Sequence, residues 1–327
     1  MRLLLMEPAS PHQGRGNAST MGRYAAVARA AGFEVHTATP EQPQFREVDL
    51  IHAHHAVRTG PSALHVARTQ DIPLVISLGG TDLHGADGQG FDQRGLEPLM
   101  GARLVLVPLA ADVELLVARG IPRERVRVVP RAVTLPPLKP RVAPRSPLRM
   151  LFLGGIRAVK GPLTALRLVG ELRAQGCPVH LHLVGPVLDP QHGDQVRAAL
   201  EPLDVWSAPM PAANLPSLFH ESDVLLNTSV AEGASNAILE ALAHGLPVAA
   251  LDCHGNRELL AGAPRSVALV FAAEDTESLR RFIDSLRDGL DADRAQQAQS
   301  FISACHDLER EAAALRAAWM EATAQRP

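Results

Sequence analysis

VLLNTSVAEGASNAILEALAHGLPVAAL, residues 224–251, changes its apolar rhythm twice within one stretch. The opening apolar run reads as a buried strand that ends near Thr228. A loop of small and polar residues then carries Glu232 and Gly233, and a helix opens at Ser235 or Asn236. Ser235 suits an N-cap, Gly245 a C-terminal stop, and Pro247 precedes the next apolar run. Strand, loop, helix and strand in this order are one unit of a parallel α/β sheet.

The same rhythm extends in both directions. In the second half LRMLFLG, VHLHLVG, VLLNTS, PVAALD and VALVFA read as strands, separated by helical stretches that include 163–175, 235–244 and 276–287. In the first half RLLLMEP, FEVHTAT, DLIHAHH, PLVISLGG, RLVLVPL and VRVVPRAV read as strands, with helical patterns at 18–31 and 111–119. Gly32 follows the first helical pattern and supplies a left-handed cap. Between the halves TLPPLKPRVAPRSP, residues 134–147, holds five prolines, which deny it helix and interior sheet bonding. The expected division is a first α/β domain at 1–133, a linker at 134–147 and a second α/β domain at 148–306. The remaining segment, 307–327, repeats Leu308, Ala312, Leu315, Trp319 and Ala322 on one helical face that must bury against something.

Composition narrows the function classes. The chain has 327 residues, 46% hydrophobic and 20% charged, which suits two folded domains rather than a disordered chain. A net charge of -3 offers no cationic field for nucleic acid. Three widely spaced cysteines, Cys177, Cys253 and Cys305, fit neither a disulfide framework nor a paired-cysteine zinc site, so a reducing cytoplasm is expected. The N-terminal apolar run is too short for a secretory signal, and no apolar stretch is long enough for a membrane span. Of 32 basic residues only Lys139 and Lys160 are lysine. Residues 119–149 concentrate nine Arg or Lys against Glu124 alone, read either as a solvated loop and linker or as a patch for an anionic acceptor or peripheral membrane contact.

Chemistry concentrates in the loop at 232–236. Gly233 and Ala234 let a ligand approach the amides at the helix start, where the dipole favours phosphate. Glu232 and Glu240 could accept hydroxyls from the sugar and ribose ends of a nucleotide-sugar. The plain alternative is a capped helix with two surface glutamates. In the first half, Gly14, Gly16 and Asn17 within PHQGRGNAST could form a phosphate or acceptor loop. Its G-x-G lacks the third glycine of a dinucleotide fingerprint, and FEVHTAT lacks a terminal acid for an NAD ribose. In HAHH, alternation puts His52 and His54 on one face and leaves His55 and Arg58 near the strand end, where ligands of open α/β sheets bind. Zinc there lacks nearby cysteine or carboxylate ligands, and structural histidines are the main rival.

EGASNAILEALAHGLPV closely resembles the E-x7-E segment of retaining glycosyltransferase family 4 enzymes, which have the GT-B fold of two Rossmann-like domains with parallel sheets facing across a cleft. The resemblance implies that Glu232 lies at the donor sugar, that Glu240 binds the nucleotide ribose, and that the Gly233, Ala234, Ser235 and Asn236 loop holds the diphosphate. LGGIRAVKGP, 153–162, resembles the family's basic phosphate grip. Lys160 matches its lysine, Gly155 stands where its arginine usually lies, and Arg157 follows two residues on. PLVISLGGTDLHG resembles a family stretch in which Gly79 occupies a histidine's place, which shifts attention to Asp82 and His55. The combination is most similar to the subgroup containing glycosyltransferase 1 domain-containing protein 1, and more weakly to selenosugar synthases. It implies a metal-independent, retaining glycosyltransferase of hexosyltransferase type with no cofactor. Its donor is a nucleotide-sugar, with UDP expected ahead of GDP, and its acceptor a small molecule. It also implies that the last helix packs back on the first domain, with Leu315 and Trp319 as anchors. The rival readings are a nucleotide-sugar-binding protein without transferase activity and a GT-B phosphorylase or epimerase.

Overall fold

The computed structural model describes residues 1–8, 15–42, 47–85, 91–139, 146–287 and 292–324. The chain divides into two compact units, one of Met1–Ala132 with Leu308–Pro327 and one of Val133–Asp307. In the first unit β1 (Arg2–Met6), β2 (Glu34–Ala38), β3 (Leu50–His54), β4 (Leu74–Ser77), β5 (Leu104–Val107) and β6 (Val126–Val128) form a parallel sheet in the order 2-1-3-4-5-6. The second unit holds β7 (Leu148–Leu153), β8 (Val179–Val184), β9 (Asp204–Ser207), β10 (Val224–Asn227), β11 (Val248–Leu251) and β12 (Ala268–Phe271). They too are parallel, in the order 12-11-10-7-8-9.

The apolar runs are continuous because helices cover both faces of each sheet. In β1, Leu4 and Met6 join one core with Ile51, Ile76 and Val105, while Leu3 and Leu5 join another with Leu50, Val75 and Leu106. The helix ends follow the expected punctuation. Gly32 after the helix Arg15–Ala30 and Gly245 after the helix Asn236–Ala243 have φ of 79° and 69°. Several elements go unnamed in the sequence reading, among them the helices Gly60–Gln70 and Pro190–Ala199. β9 is a partly exposed edge strand whose Asp204 and Ser207 break the apolar pattern. The helix Ala292–Ser303 packs through Ala295, Ala298 and Ile302 among polar neighbours, too small a stripe to stand out.

The helix Leu308–Ala324 belongs to the first unit and covers its second core with Leu315, Ala318, Trp319 and Ala322. Trp319 is fully buried, and its Nε1 donates to His52 Nδ1 at 3.0 Å. The His52 ring stacks on Tyr24 at 5.3 Å between centroids. Burial lowers the His52 pKa to about 3, so this ring is a neutral acceptor. His54 is likewise buried and pairs through Nδ1 with Ser77 Oγ at 2.9 Å. These two histidines are therefore core residues. The buried face of the helix also differs from expectation, because Leu308 is exposed and Glu311 is buried. Arg23 grips the Glu311 carboxylate with two bonds of 2.9 and 3.0 Å, and Ala132 N donates to it at 3.1 Å. A carboxylate met by three donors can be buried.

Three residues of the basic run are in ion pairs. Arg123 pairs with Glu114, Arg127 with Glu321 and Arg149 with Asp223, while Arg119 lies over the Phe91 ring at 4.9 Å. Arg141 and Arg145 lie outside the described residues. Among the described residues, no helix is long and apolar enough to cross a membrane.

Trp319 supplies the first test. Trp319→Ala should cost the first unit about 3–5 kcal/mol in denaturant unfolding, whereas Trp319→Phe, which keeps a ring but strands buried His52 Nδ1, should cost about 1–3 kcal/mol. No measurable loss in Trp319→Phe would show that the indole hydrogen bond contributes nothing.

Candidate active site

In the second sheet the chain runs outward from β7 through β8 to β9, then returns to β10 on the other side of β7. The carboxyl ends of β7 and β10 therefore flank a topological switch point, where loops diverge and leave room for a ligand. Residues 154–161 leave β7 there and residues 228–235 leave β10. Gly161 joins them. Its φ is 63°, and a Cβ on it would lie 2.2 Å from the Thr228 carbonyl oxygen. Thr228 Oγ1 donates to the Gly161 carbonyl at 2.8 Å, and Val230 N donates to Val159 O at 3.0 Å. The turn Ala158–Lys160 is thereby held against the second loop.

This contact brings Lys160 to Glu232. Lys160 Nζ and Glu232 Oε1 are 2.6 Å apart, with Glu232 almost entirely buried. Ser229 Oγ donates to the same oxygen at 2.8 Å and Asn227 Nδ2 reaches it at 3.4 Å. Burial alone would raise the Glu232 pKa, but the neighbouring ammonium and these donors hold it below its ordinary value. Glu232 is thus an ionised carboxylate inside the fold, not a surface glutamate. Gly255 lies beneath it, since a Cβ there would meet the Glu232 carbonyl oxygen at 2.1 Å and that of Gly233 at 2.4 Å.

Gly233, Ala234 and Ser235 are buried in the loop before the helix Asn236–Ala243. Ser235 occupies the N-cap position, but its side chain makes no capping bond; Oγ instead accepts from Asn227 Nδ2 at 3.3 Å. Asn236 and Glu240 are half-buried on the helix. Gly155 serves close packing, as a Cβ would stand 2.4 Å from Leu188 Cδ1, and Arg157 is a half-buried residue of extended backbone before the Ala158–Lys160 turn. A small cavity lined by Phe152, Leu153, Lys160, Asn227, Thr228 and Ser229 opens at this place. Sequence reading missed Asn227, Ser229 and buried Asn256, because isolated polar residues at strand ends carry no spacing signal.

The other named residues belong to the first unit. His55 follows β3 with φ of 81°, a conformation rare outside glycine, and its Nε2 meets Thr81 Oγ1 at 3.1 Å. Burial lowers its pKa against the opposing pull of Asp82. Asp82 is fully buried and accepts from Ala56 N at 3.1 Å and Gly79 N at 2.9 Å. Its carboxylate holds two loops together, one amide on each oxygen. Arg58 is half-buried beside it, with burial lowering its pKa. Gly16 and Asn17 lie in the first turn of the helix Arg15–Ala30, not in an open glycine loop as expected. Gly14 lies outside the described residues.

The buried pair makes a signed prediction. A lowered carboxyl contributes stability that is full above its ordinary value near 4.5 and is lost as the pH falls through the folded value. Lys160→Met leaves burial as the dominant influence, so the Glu232 pKa should rise above ordinary and that contribution should reverse sign. The variant should lose about 3 kcal/mol at pH 7. Its deficit in melting temperature should shrink as the pH is lowered toward 4. A deficit independent of pH would disprove the coupling.

A family model described as Glycosyl transferases group 1 matches residues 147–288, and one described as Glycosyltransferase Family 4 matches residues 43–135. Glycosyltransferase 1 domain-containing protein 1 of Xenopus tropicalis is 33% identical over 112 residues, 34% of this chain and 32% of that protein. A GDP-mannose-dependent alpha-mannosyltransferase of Mycobacterium tuberculosis is 30% identical over 229 residues, 65% of this chain and 57% of that protein. The chain thus matches between about a third and somewhat over half the length of these curated relatives. Sucrose-phosphate synthase from Thermosynechococcus elongatus superposes with a TM-score of 0.79 at 16% identity, covering 100% of both chains. Anabaena HepE in complex with UDP and glucose gives 0.75 at 16% identity, covering 98% of this chain and 100% of that one. These structures share the fold. A glycosyltransferase model is thus matched in each half, over two parallel α/β units that share the fold of these GT-B structures.

Proposed function

We propose that this protein is a retaining, metal-independent glycosyltransferase of hexosyltransferase type that moves a sugar from a nucleotide-sugar to a small-molecule acceptor. The observation that carries the reading is the buried Lys160–Glu232 pair at the switch point of the second sheet, beside the N-terminus of the helix Asn236–Ala243. One cation, a row of backbone amides and one ionised acceptor suit a ligand with phosphate at one end and hydroxyls at the other. The complex of HepE with UDP and glucose supports a UDP-sugar donor, while the mannosyltransferase relative keeps GDP-mannose in the screen. The match to the Xenopus protein supports the subgroup resemblance.

In this reading the diphosphate lies across the Gly233–Asn236 amides and takes the Lys160 ammonium as a counterion. The bond from the anomeric carbon to the phosphate oxygen breaks, and a bond to the acceptor oxygen forms on the same face of the sugar. The departing phosphate oxygen takes the acceptor proton. Lys160, assisted by Arg157, and the helix dipole offset the leaving charge, which removes the need for a metal. Glu232 orients the sugar and Glu240 the ribose. His55 and Arg58 are the candidate acceptor contacts.

Thermal-shift screening against UDP-glucose, GDP-mannose and related donors should find one that stabilises the protein, by about 2.7 kcal/mol at 100 times its dissociation constant. Donor incubated with protein should then release nucleoside diphosphate. Calorimetry separates the two glutamates. Glu240→Gln should weaken UDP binding about tenfold, and Glu232→Gln should leave it within about twofold while slowing sugar transfer about a hundredfold. The same loss of UDP affinity in both variants would overturn the division of roles.

A further inference from the structure

Asn227 ends β10 beneath the loop, and no sequence motif marks it. Its amide has a determined orientation. The Ser229 backbone N–H, which can only donate, reaches Asn227 Oδ1 at 3.1 Å. Asn256 Nδ2 reaches the same oxygen at 3.2 Å, and its own orientation is set by the Leu251 carbonyl at 2.9 Å, which can only accept. The nitrogen of Asn227 must therefore face the other way, where it meets Glu232 Oε1 at 3.4 Å and Ser235 Oγ at 3.3 Å. Asn256 is fully buried and Asn227 nearly so.

Two consequences follow from atom accounting. The hydrogen bonds to Glu232 from Lys160, Ser229 and Asn227 all arrive at Oε1, so Oε2 keeps its lone pairs for a ligand hydroxyl. Ser235 Oγ accepts from Asn227, so its own proton remains available to a phosphate oxygen. We infer that Asn227, locked by Asn256 and the Ser229 amide, is a positioning residue that aims Glu232 Oε2 at a sugar hydroxyl and the Ser235 hydroxyl at the diphosphate. The assignment of those ligands rests on the nucleotide-sugar reading above, whereas the orientation of Glu232 does not. Asn227 touches neither ligand. Its effect passes through the two residues that do.

The test has one arm without ligand and one with it. In carbon-13 NMR titration of the glutamate carboxyls, Asn227→Ala should move Glu232 upward by up to about one pH unit, since the ionised form loses a donor. Asn256→Ala should move it in the same direction by less, because the Ser229 amide still holds Asn227. In calorimetry with UDP and UDP-glucose, or GDP and GDP-mannose if the screen selects that pair, Asn227→Ala should bind the nucleotide within about threefold of wild type. Its affinity for the nucleotide-sugar should fall about tenfold. Adding Asn227→Ala to Glu232→Ala should cost nothing further in that ratio. An unmoved Glu232 titration in folded Asn227→Ala overturns the inference, as does full additivity in the double variant. If Asn227→Ala does not fold, Asn256→Ala decides on the same two readouts. A wild type that binds none of these nucleotides overturns the transferase reading instead, and the NMR arm still decides whether Asn227 sets Glu232.

Discussion

Gly161 lies so close to Thr228 that a single added carbon would stand 2.2 Å from a backbone oxygen, and its left-handed φ disfavours any side chain even without that clash. The rest of the site depends on this approach. It lets the turn that ends in Lys160 lie against the loop after β10, so that two residues 72 positions apart meet at 2.6 Å. It also starts the helix Pro162–Ala174 at the point where the ammonium must stop. The sheet order creates the gap between the loops, and the glycine sets how far the gap closes.

The carboxylates show how burial separates a structural charge from an available one. Asp82 and Glu311 are both buried and both accept backbone amides, so their charges are consumed in fastening loops or helices together. Glu232 is also buried, though it keeps 7% exposure, and its three donors crowd one oxygen. Its principal partner is a flexible lysine that a ligand can recruit without unfolding anything. An arginine fork in place of Lys160 would occupy both oxygens and leave no acceptor.

Most of the fold was legible: eleven of the twelve described strands are marked in the sequence, the buried ones as apolar runs, while β9, a partly exposed edge strand, is not. The family resemblance singled out Glu232, Glu240 and Lys160, and the structure brings Lys160 and Glu232 together. What sequence could not supply was direction. His52 and His54 share a strand face as alternation requires, but only the position of Trp319, 267 residues away from His52, makes that face a core. Nor does the sequence show that Asp82 accepts two backbone amides. Leu308 and Glu311 exchange their expected places because Arg23 neutralises a charge that hydropathy treats as uniformly exposed.

The return of the last helix to the first unit has a consequence for the order in which the protein is made. A ribosome releases β1 to β6 long before it releases Trp319, so His52, Tyr24 and the second face of the first sheet emerge without the side chains that cover them. The second unit, by contrast, is continuous in sequence and is complete as soon as Asp307 has emerged. Synthesis from the N-terminus ordinarily lets the leading domain fold first. Here the half that is made first is finished last, and during that interval its exposed apolar face is what a chaperone or an aggregating neighbour would meet.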